Sequence, residues 1–304
     1  MKAAIAGGTG FVGQKVTEEL VQHGYDVTIL TRNITNKKES DSIRYVNWLN
    51  ERANPEDHLH GVDVFINLAG EPLNSGRWTD ERKKRIVDSR ISATRELIRI
   101  MKALPEKPSV LINASAIGIY PNSLTETFTE SSIEAGQGFL SQTVNSWEEE
   151  AIQADKAGIR TVLTRFGIIL CSEDGALPRI ATPYKLFAGG KTGSGSQWMS
   201  WIHVNDAARA IRFAAENKTV EGPLNLTAPN PVRMDDLGKT LANVLGRPHW
   251  LYVPEPVLKA ALGEMSTLIL DGQRVLPEKL LQSGFQFHFP LVRRALDNLY
   301  NKPL

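Results

Sequence analysis

Three features of the 304-residue chain predict an α/β architecture, a doubly wound parallel sheet with a smaller C-terminal α+β lobe that meets the substrate. Short apolar runs alternate with amphipathic helical patterns as far as residue 166. The first run ends in a glycine cluster, GGTGFVG. After Leu170 the alternation breaks into Gly- and Pro-rich connections and then a mostly helical stretch.

The elements follow in order. Ala3–Ala6 is a short apolar run ending in glycines, the pattern of a buried parallel strand. Phe11–His23 sets Phe11, Val12, Val16, Leu20 and Val21 at helical spacing, and Gly24 closes it. Asp26–Thr31 (DVTILT) is a second strand, completing a strand–helix–strand unit of the length a crossover requires. Val62–Leu68 reads as a strand and Thr79–Leu104 as a long helix ended by Pro105. The apolar stripe of that helix suits either the core or a homodimer contact. Val110–Ala114 is a strand, Ser141–Lys156 a helix and Arg160–Phe166 a further strand. Near the C-terminus Pro277 starts a short helix, Gly284 stops it, and Phe285–Phe289 is expected to be a strand. The chain thus divides into residues 1–230, with some lobe segments from about 171–200, and a small C-terminal unit, 231–304.

Composition narrows the function classes. With 35 basic and 34 acidic residues the formal net charge is +1, so no global field points to nucleic acid or a membrane surface. The single cysteine, Cys171, excludes an internal disulfide and suits a reducing compartment. The start MKAAIAGG holds no signal-peptide apolar region, and no run reaches the roughly 20 apolar residues of a membrane helix. A cytoplasmic location is the expectation. No spacing of His, Cys, Asp and Glu suggests a metal.

GxxGxxG between a strand and a helix lets backbone approach a pyrophosphate, while the helix N-terminus supplies N–H groups and a partial positive charge. Gly7, Thr9, Gly10, Phe11, Val12 and Gly13 are the candidate cradle. Where NAD-specific folds place an acid for the ribose 2′-hydroxyl, at the end of the second strand, this chain has Arg32. A guanidinium there pairs with a 2′-phosphate, so the expected cofactor is NADP(H). Leu68, Ala69 and Gly70, in INLAG, end a strand at the same crevice and are small enough for the ribose and nicotinamide half to pass.

GGTGFVG, INLAG, NASAIGIY (Asn113–Tyr120) and GSGSQWMSWIHVND (Gly193–Asp206) occur in the order and spacing of a Rossmann-type extended short-chain dehydrogenase/reductase. The chain resembles the NAD-dependent epimerase/dehydratase type. Through WEEEA, SQWMSWIHVND and DGQRVLPEKLLQSGFQF it is similar to an atypical branch with a short C-terminal domain. That resemblance implies a serine at a strand end, matched by Ser115 and near both cofactor and substrate, and a Tyr-x-x-x-Lys pair on the next helix for proton transfer. That helix, FLSQTVNSWEEEAI, contains neither tyrosine nor lysine. Phe139 and Thr143, or Leu140 and Val144, stand where the pair would be. Tyr120 is the nearest phenol in sequence and the substitute acid/base candidate, set against a packing role. The resemblance also implies a diphosphate-gripping arginine where Met199 stands. Trp198 and Trp201 offer flat apolar surface instead, which fits a substrate less charged than a nucleotide sugar.

Other polar clusters read as scaffolding. His203 holds a loop before a helix, ERKKR (Glu81–Arg85) is a solvated face, and the WEEE acids are surface charge beside one anchoring indole. The overall expectation is an NADP(H)-binding oxidoreductase or epimerase-like enzyme acting on a small molecule. The rival is a non-catalytic sensor or partner-binding protein that retains the cofactor fold.

Overall fold

A computed structural model describes residues 1–35, 37–50 and 53–301, so the last three residues of the expected small unit lie outside it. Seven parallel strands form the central sheet: β1 (Lys2–Ala6), β2 (Asp26–Thr31), β3 (Ile43–Asn47), β4 (Val64–Asn67), β5 (Val110–Ala116), β6 (Arg160–Phe166) and β7 (Gly222–Leu226). Their spatial order is β3-β2-β1-β4-β5-β6-β7. Strand order reverses between β1 and β4, and the crevice beyond the strand ends at such a switch point is where this fold class binds ligands.

Alternation along the strands assigns the two faces. Ala3, Ile5, Val27, Ile29, Val110, Ile112 and Val162 pack on one side against Val16 and Leu20 of α1 (Phe11–Gln22) and Ala207, Ala210 and Ile211 of α5 (Val204–Glu216). On the other side Ala4, Ala6, Leu30, Phe65 and Leu111 meet Ala93, Leu97, Ile98 and Met101 of α2 (Asp80–Ala103). Thr79 caps α2, its hydroxyl accepting from the Arg82 N–H at 3.2 Å. Most of the apolar stripe of α2 is therefore occupied within its own core, while Val87 and Ile91 are half-buried. Below it lies α3 (Phe139–Ala151), which continues as a 3₁₀ segment, Ile152–Ala157.

A second core joins distant parts of the chain. Leu170, Met199 and Trp201 cluster with Leu177 and Tyr184 of α4 (Leu177–Lys185), Leu237 and Leu241 of α6 (Met234–Leu245), and Ala295 and Leu296 near the C-terminus. Segments of 168–201, 234–245 and 289–300 thus share one core, while Leu280 and Phe285 pack into the first core and Val275 against Tyr120 and Phe128.

Three elements depart from expectation. β3 is an edge strand of mostly half-buried residues and lacks a clean alternation to signal it. β7 begins Gly-Pro inside a stretch that reads as connection; Pro223 is tolerated because β7 is the opposite edge. Phe285–Phe289 is not a strand. The N–H groups of His288 and Phe289 donate instead to the Asp206 carboxylate at 3.0 and 2.8 Å, so no ladder partner is needed. The short helix Glu278–Gln282 is present, and Gly284 ends it with φ +85°. No helix of the described residues is long and apolar enough to cross a membrane.

Candidate functional site

At the switch point the glycine loop, the turn after β4 and the N-terminus of α1 converge. Gly7 has φ +80°, and a Cβ there would lie 2.6 Å from the Leu68 carbonyl carbon. At Gly13 a Cβ would meet the Gly7 carbonyl oxygen at 2.3 Å. These two glycines let the loop, α1 and the Leu68–Ala69 turn close on one another. Gly10, the N-cap of α1, offers no side chain to the first-turn N–H groups, and no acidic residue stands in that turn. Those donors are left for an external anion. Thr9 and Gly10 are exposed, with Phe11 and Val12 half-buried beside them. A pyrophosphate fits this cradle.

Arg32 stands just beyond the end of β2, exposed, with no hydrogen bond or ion pair to any described residue. Beneath the crevice Asn67 orders the next turn. Its amide donates to Asn113 Oδ1 at 2.7 Å and Thr94 Oγ1 at 2.9 Å, and its Oδ1 accepts from the Ala69 N–H. The Trp147 indole N–H closes on the same Thr94 oxygen at 3.0 Å.

Next to the crevice lies a cavity of about 340 Å³ between the sheet end, α3 and the C-terminal lobe. Leu73, Ile117, Leu140, Val144, Phe166 and Met199 give it an apolar lining, and Trp147 and Trp198 add flat indole surface. Leu140, Thr143 and Val144 of α3 face it, so the positions where the resemblance implies the Tyr–Lys pair carry no proton-transfer group. Trp198 is braced by the Arg233 guanidinium, 3.7 Å from its ring centroid, with Arg274 at 5.1 Å.

The two catalytic candidates are joined through a buried ion pair, although Tyr120 is also among the residues lining the cavity. The buried Ser115 hydroxyl donates to Glu148 Oε1. Glu148 receives Arg165 through two bonds, Nε at 2.8 Å and Nη2 at 2.7 Å. Arg165 Nη1 in turn donates to the Tyr120 hydroxyl at 2.9 Å. That hydroxyl lies 2.9 Å from Asn225 Oδ1 and 3.0 Å from the Thr129 carbonyl oxygen, and its ring stacks on Phe128. Burial raises the Tyr120 pKa above its ordinary value. Serine and phenol thus end a buried chain centred on an ion pair. Neither hydroxyl is free for a substrate oxygen.

Several expectations are corrected. Trp201 is fully buried in the second core, its indole N–H donating to the Asn230 carbonyl at 3.1 Å, so of these two tryptophans Trp198 alone lines the cavity. Of the WEEE acids, Glu148 is buried and ion-paired rather than solvated. Within ERKKR, Arg82 turns inward onto Glu71, Ser75 and the Pro72 carbonyl. His203 holds a loop as expected: its Nδ1 accepts from the Asn205 N–H at 3.1 Å, it stacks on Phe289, and burial pushes its pKa down to about 4. Among the described residues no cluster of His, Cys, Asp and Glu is placed to hold a metal.

Glu148 and Arg165 escaped the sequence reading. Helical spacing held the clue: Ser141, Val144, Glu148 and Ala151 lie on one buried stripe.

Comparison with known proteins follows the same geometry. The model of the NAD dependent epimerase/dehydratase family matches residues 3–226, and that of a domain of unknown function, DUF1731, matches residues 253–299. Epimerase family protein YfhF of Bacillus subtilis is 52% identical over 299 residues, 98% of both chains. Human epimerase family protein SDR39U1, solved with NADPH, aligns over the whole of both chains with a TM-score of 0.87 and 29% identity. UDP-glucuronic acid 4-epimerase from Bacillus cereus, in complex with UDP-glucuronic acid and NAD, shares the fold at 16% identity, with a TM-score of 0.79 over 99% of this chain and 98% of its own.

Proposed function

This chain belongs to the NAD dependent epimerase/dehydratase family, and on that footing we propose an NADP(H)-binding oxidoreductase or epimerase-like enzyme acting on a small molecule in the cavity lined by Trp198. The observation that carries the cofactor choice is Arg32, exposed and without a partner among the described residues, just beyond the end of β2 where an acid would otherwise hold a ribose hydroxyl. The human relative solved with NADPH supports the same choice. Gly7, Gly10 and Gly13 with the first turn of α1 receive the pyrophosphate, Arg32 the 2′-phosphate, and Leu68, Ala69 and Gly70 flank the nicotinamide half.

When bound, NADP(H) supplies or accepts a hydride. The apolar walls around Leu140, Val144 and Trp147 exclude water from the substrate body and orient it. Ser115 and Arg165 hold the side chain of Glu148, on α3, beside the end of β5, and so brace the scaffold behind the site rather than moving a proton. The proton for a substrate oxygen then comes through solvent or from the substrate itself.

A second reading has its own observation. Because Ser115 and Tyr120 are both engaged internally, the same architecture suits a sensor that binds NADPH and performs no chemistry. NADPH oxidation against panels of carbonyl and quinone compounds separates the two. Turnover that depends on NADPH establishes the enzyme. Its absence, together with a partner captured only in the presence of NADPH, establishes the sensor.

A further inference from the structure

Among the described residues the cavity has one cationic side chain in its wall, Arg90 of α2, and one anionic one, Asp271. Arg90 is half-buried, and its Nη1 donates to the carbonyls of Glu71 at 3.1 Å and Ile86 at 2.9 Å. Its guanidinium carbon lies 5.1 Å from the Trp147 ring centroid. That carbon is also 3.2 Å from where a Cβ on Gly70 would be, which puts it over the turn leading from the dinucleotide crevice into the cavity. Among the described residues no carboxylate pairs with it. Glu71 is engaged by Arg82 and Arg85 instead. Burial pushes the Arg90 pKa down to about 10, which leaves it charged at neutral pH.

A guanidinium fixed by two carbonyls and an indole face, attracted by Glu71 only at a distance and making no direct ion pair with a described residue, is half of a binding site at a cavity wall. We propose that Arg90 is the substrate-anchoring residue of this cavity and that the ligand is a small monoanion, a carboxylate on a flat apolar body. The carboxylate meets Arg90, and the body lies against Trp147, Trp198, Leu140 and Val144. The charge of Asp271 opposes a second negative group, so a diphosphate is disfavoured. This rests on the proposed function for the cavity's role but not for its charge preference.

The test uses 2-naphthoate and its neutral isostere 2-naphthamide, titrated into the full chain with and without NADPH and followed by calorimetry. NADPH affinity is measured separately. A charge-assisted bond at a partly dry site is expected to favour naphthoate by about tenfold or more. Arg90→Gln should remove that preference while leaving naphthamide and NADPH affinities unchanged, and Arg90→Lys should retain part of it. Equal binding of acid and amide, or no binding of naphthoate at millimolar concentration, overturns the proposal. So does an Arg90→Gln variant that loses NADPH affinity but keeps naphthoate, since that places Arg90 on the cofactor. Should Arg90→Gln fail to fold, the acid–amide comparison in the unaltered protein decides alone. Failure of the cofactor reading would show separately, as absent NADPH binding beside an intact preference for the acid.

Discussion

The two halves of the site are built on opposite plans. On the cofactor side, polar groups are left open: the first-turn N–H groups of α1 lack a side-chain cap, and Arg32 has no partner among the described residues. On the substrate side the candidate hydroxyls are closed into a buried chain, Ser115 to Glu148, Glu148 to Arg165, Arg165 to Tyr120. Only Arg90 breaks that pattern, the one cation among the described residues lining the cavity. One half thus presents exposed backbone and a cation, while the other holds its hydroxyls on a buried ion pair.

Substitutions in each half should separate stability from binding. The largest effect is expected at Glu148→Ala, which leaves Arg165 charged and unpaired in the interior; a loss of about 3–5 kcal/mol in urea unfolding is expected. Glu148→Ala combined with Arg165→Met should recover much of that loss, and no recovery would contradict a coupled pair. Gly13→Ala forces a Cβ against the Gly7 carbonyl at 2.3 Å. It should cost on the order of 3 kcal/mol and reduce NADPH affinity sharply, both readable in melts with and without cofactor.

His203 gives a pH-dependent contrast outside either half. It lies between Asp206, which favours its charged form, and His288, which opposes it, with burial the dominant effect. Its native pKa of about 4 lies below the ordinary histidine value, so the folded state favours the neutral ring. Its contribution, at most about 3 kcal/mol, is complete above pH ~6.5 and is lost as pH falls toward 4. Unfolding measured across that window should show the decline, and His203→Gln should flatten it. Thr79→Ala, removing the cap of α2, should cost only about 1 kcal/mol and leave NADPH affinity untouched.

The cofactor half was legible because it is written in residues with few other uses. Glycines at Gly7 and Gly13 mark places where backbone touches backbone, and an arginine at the end of β2 occupies a position fixed by strand length. The order of β1, α1, β2 and β4–β6 followed from periodicity for the same reason. The substrate half was opaque. A glutamate such as Glu148 reads alike whether it faces water or an arginine 17 residues away, because spacing reports a face and not its occupant. Trp201 and Trp198 are three residues apart and chemically identical, yet one is core and one lines the cavity. Arg90 was overlooked among charged neighbours, although it lies four residues from both Ile86 and Thr94 on the buried side of α2.

The central claim, an NADP(H) site selected by Arg32, is tested most directly by titrating NADPH and NADH into the unaltered protein and into Arg32→Ala. The account predicts that NADPH binds at least about tenfold tighter than NADH and that Arg32→Ala removes this preference with NADH affinity unchanged. Equal affinities in the unaltered protein, or a preference that survives Arg32→Ala, would contradict it.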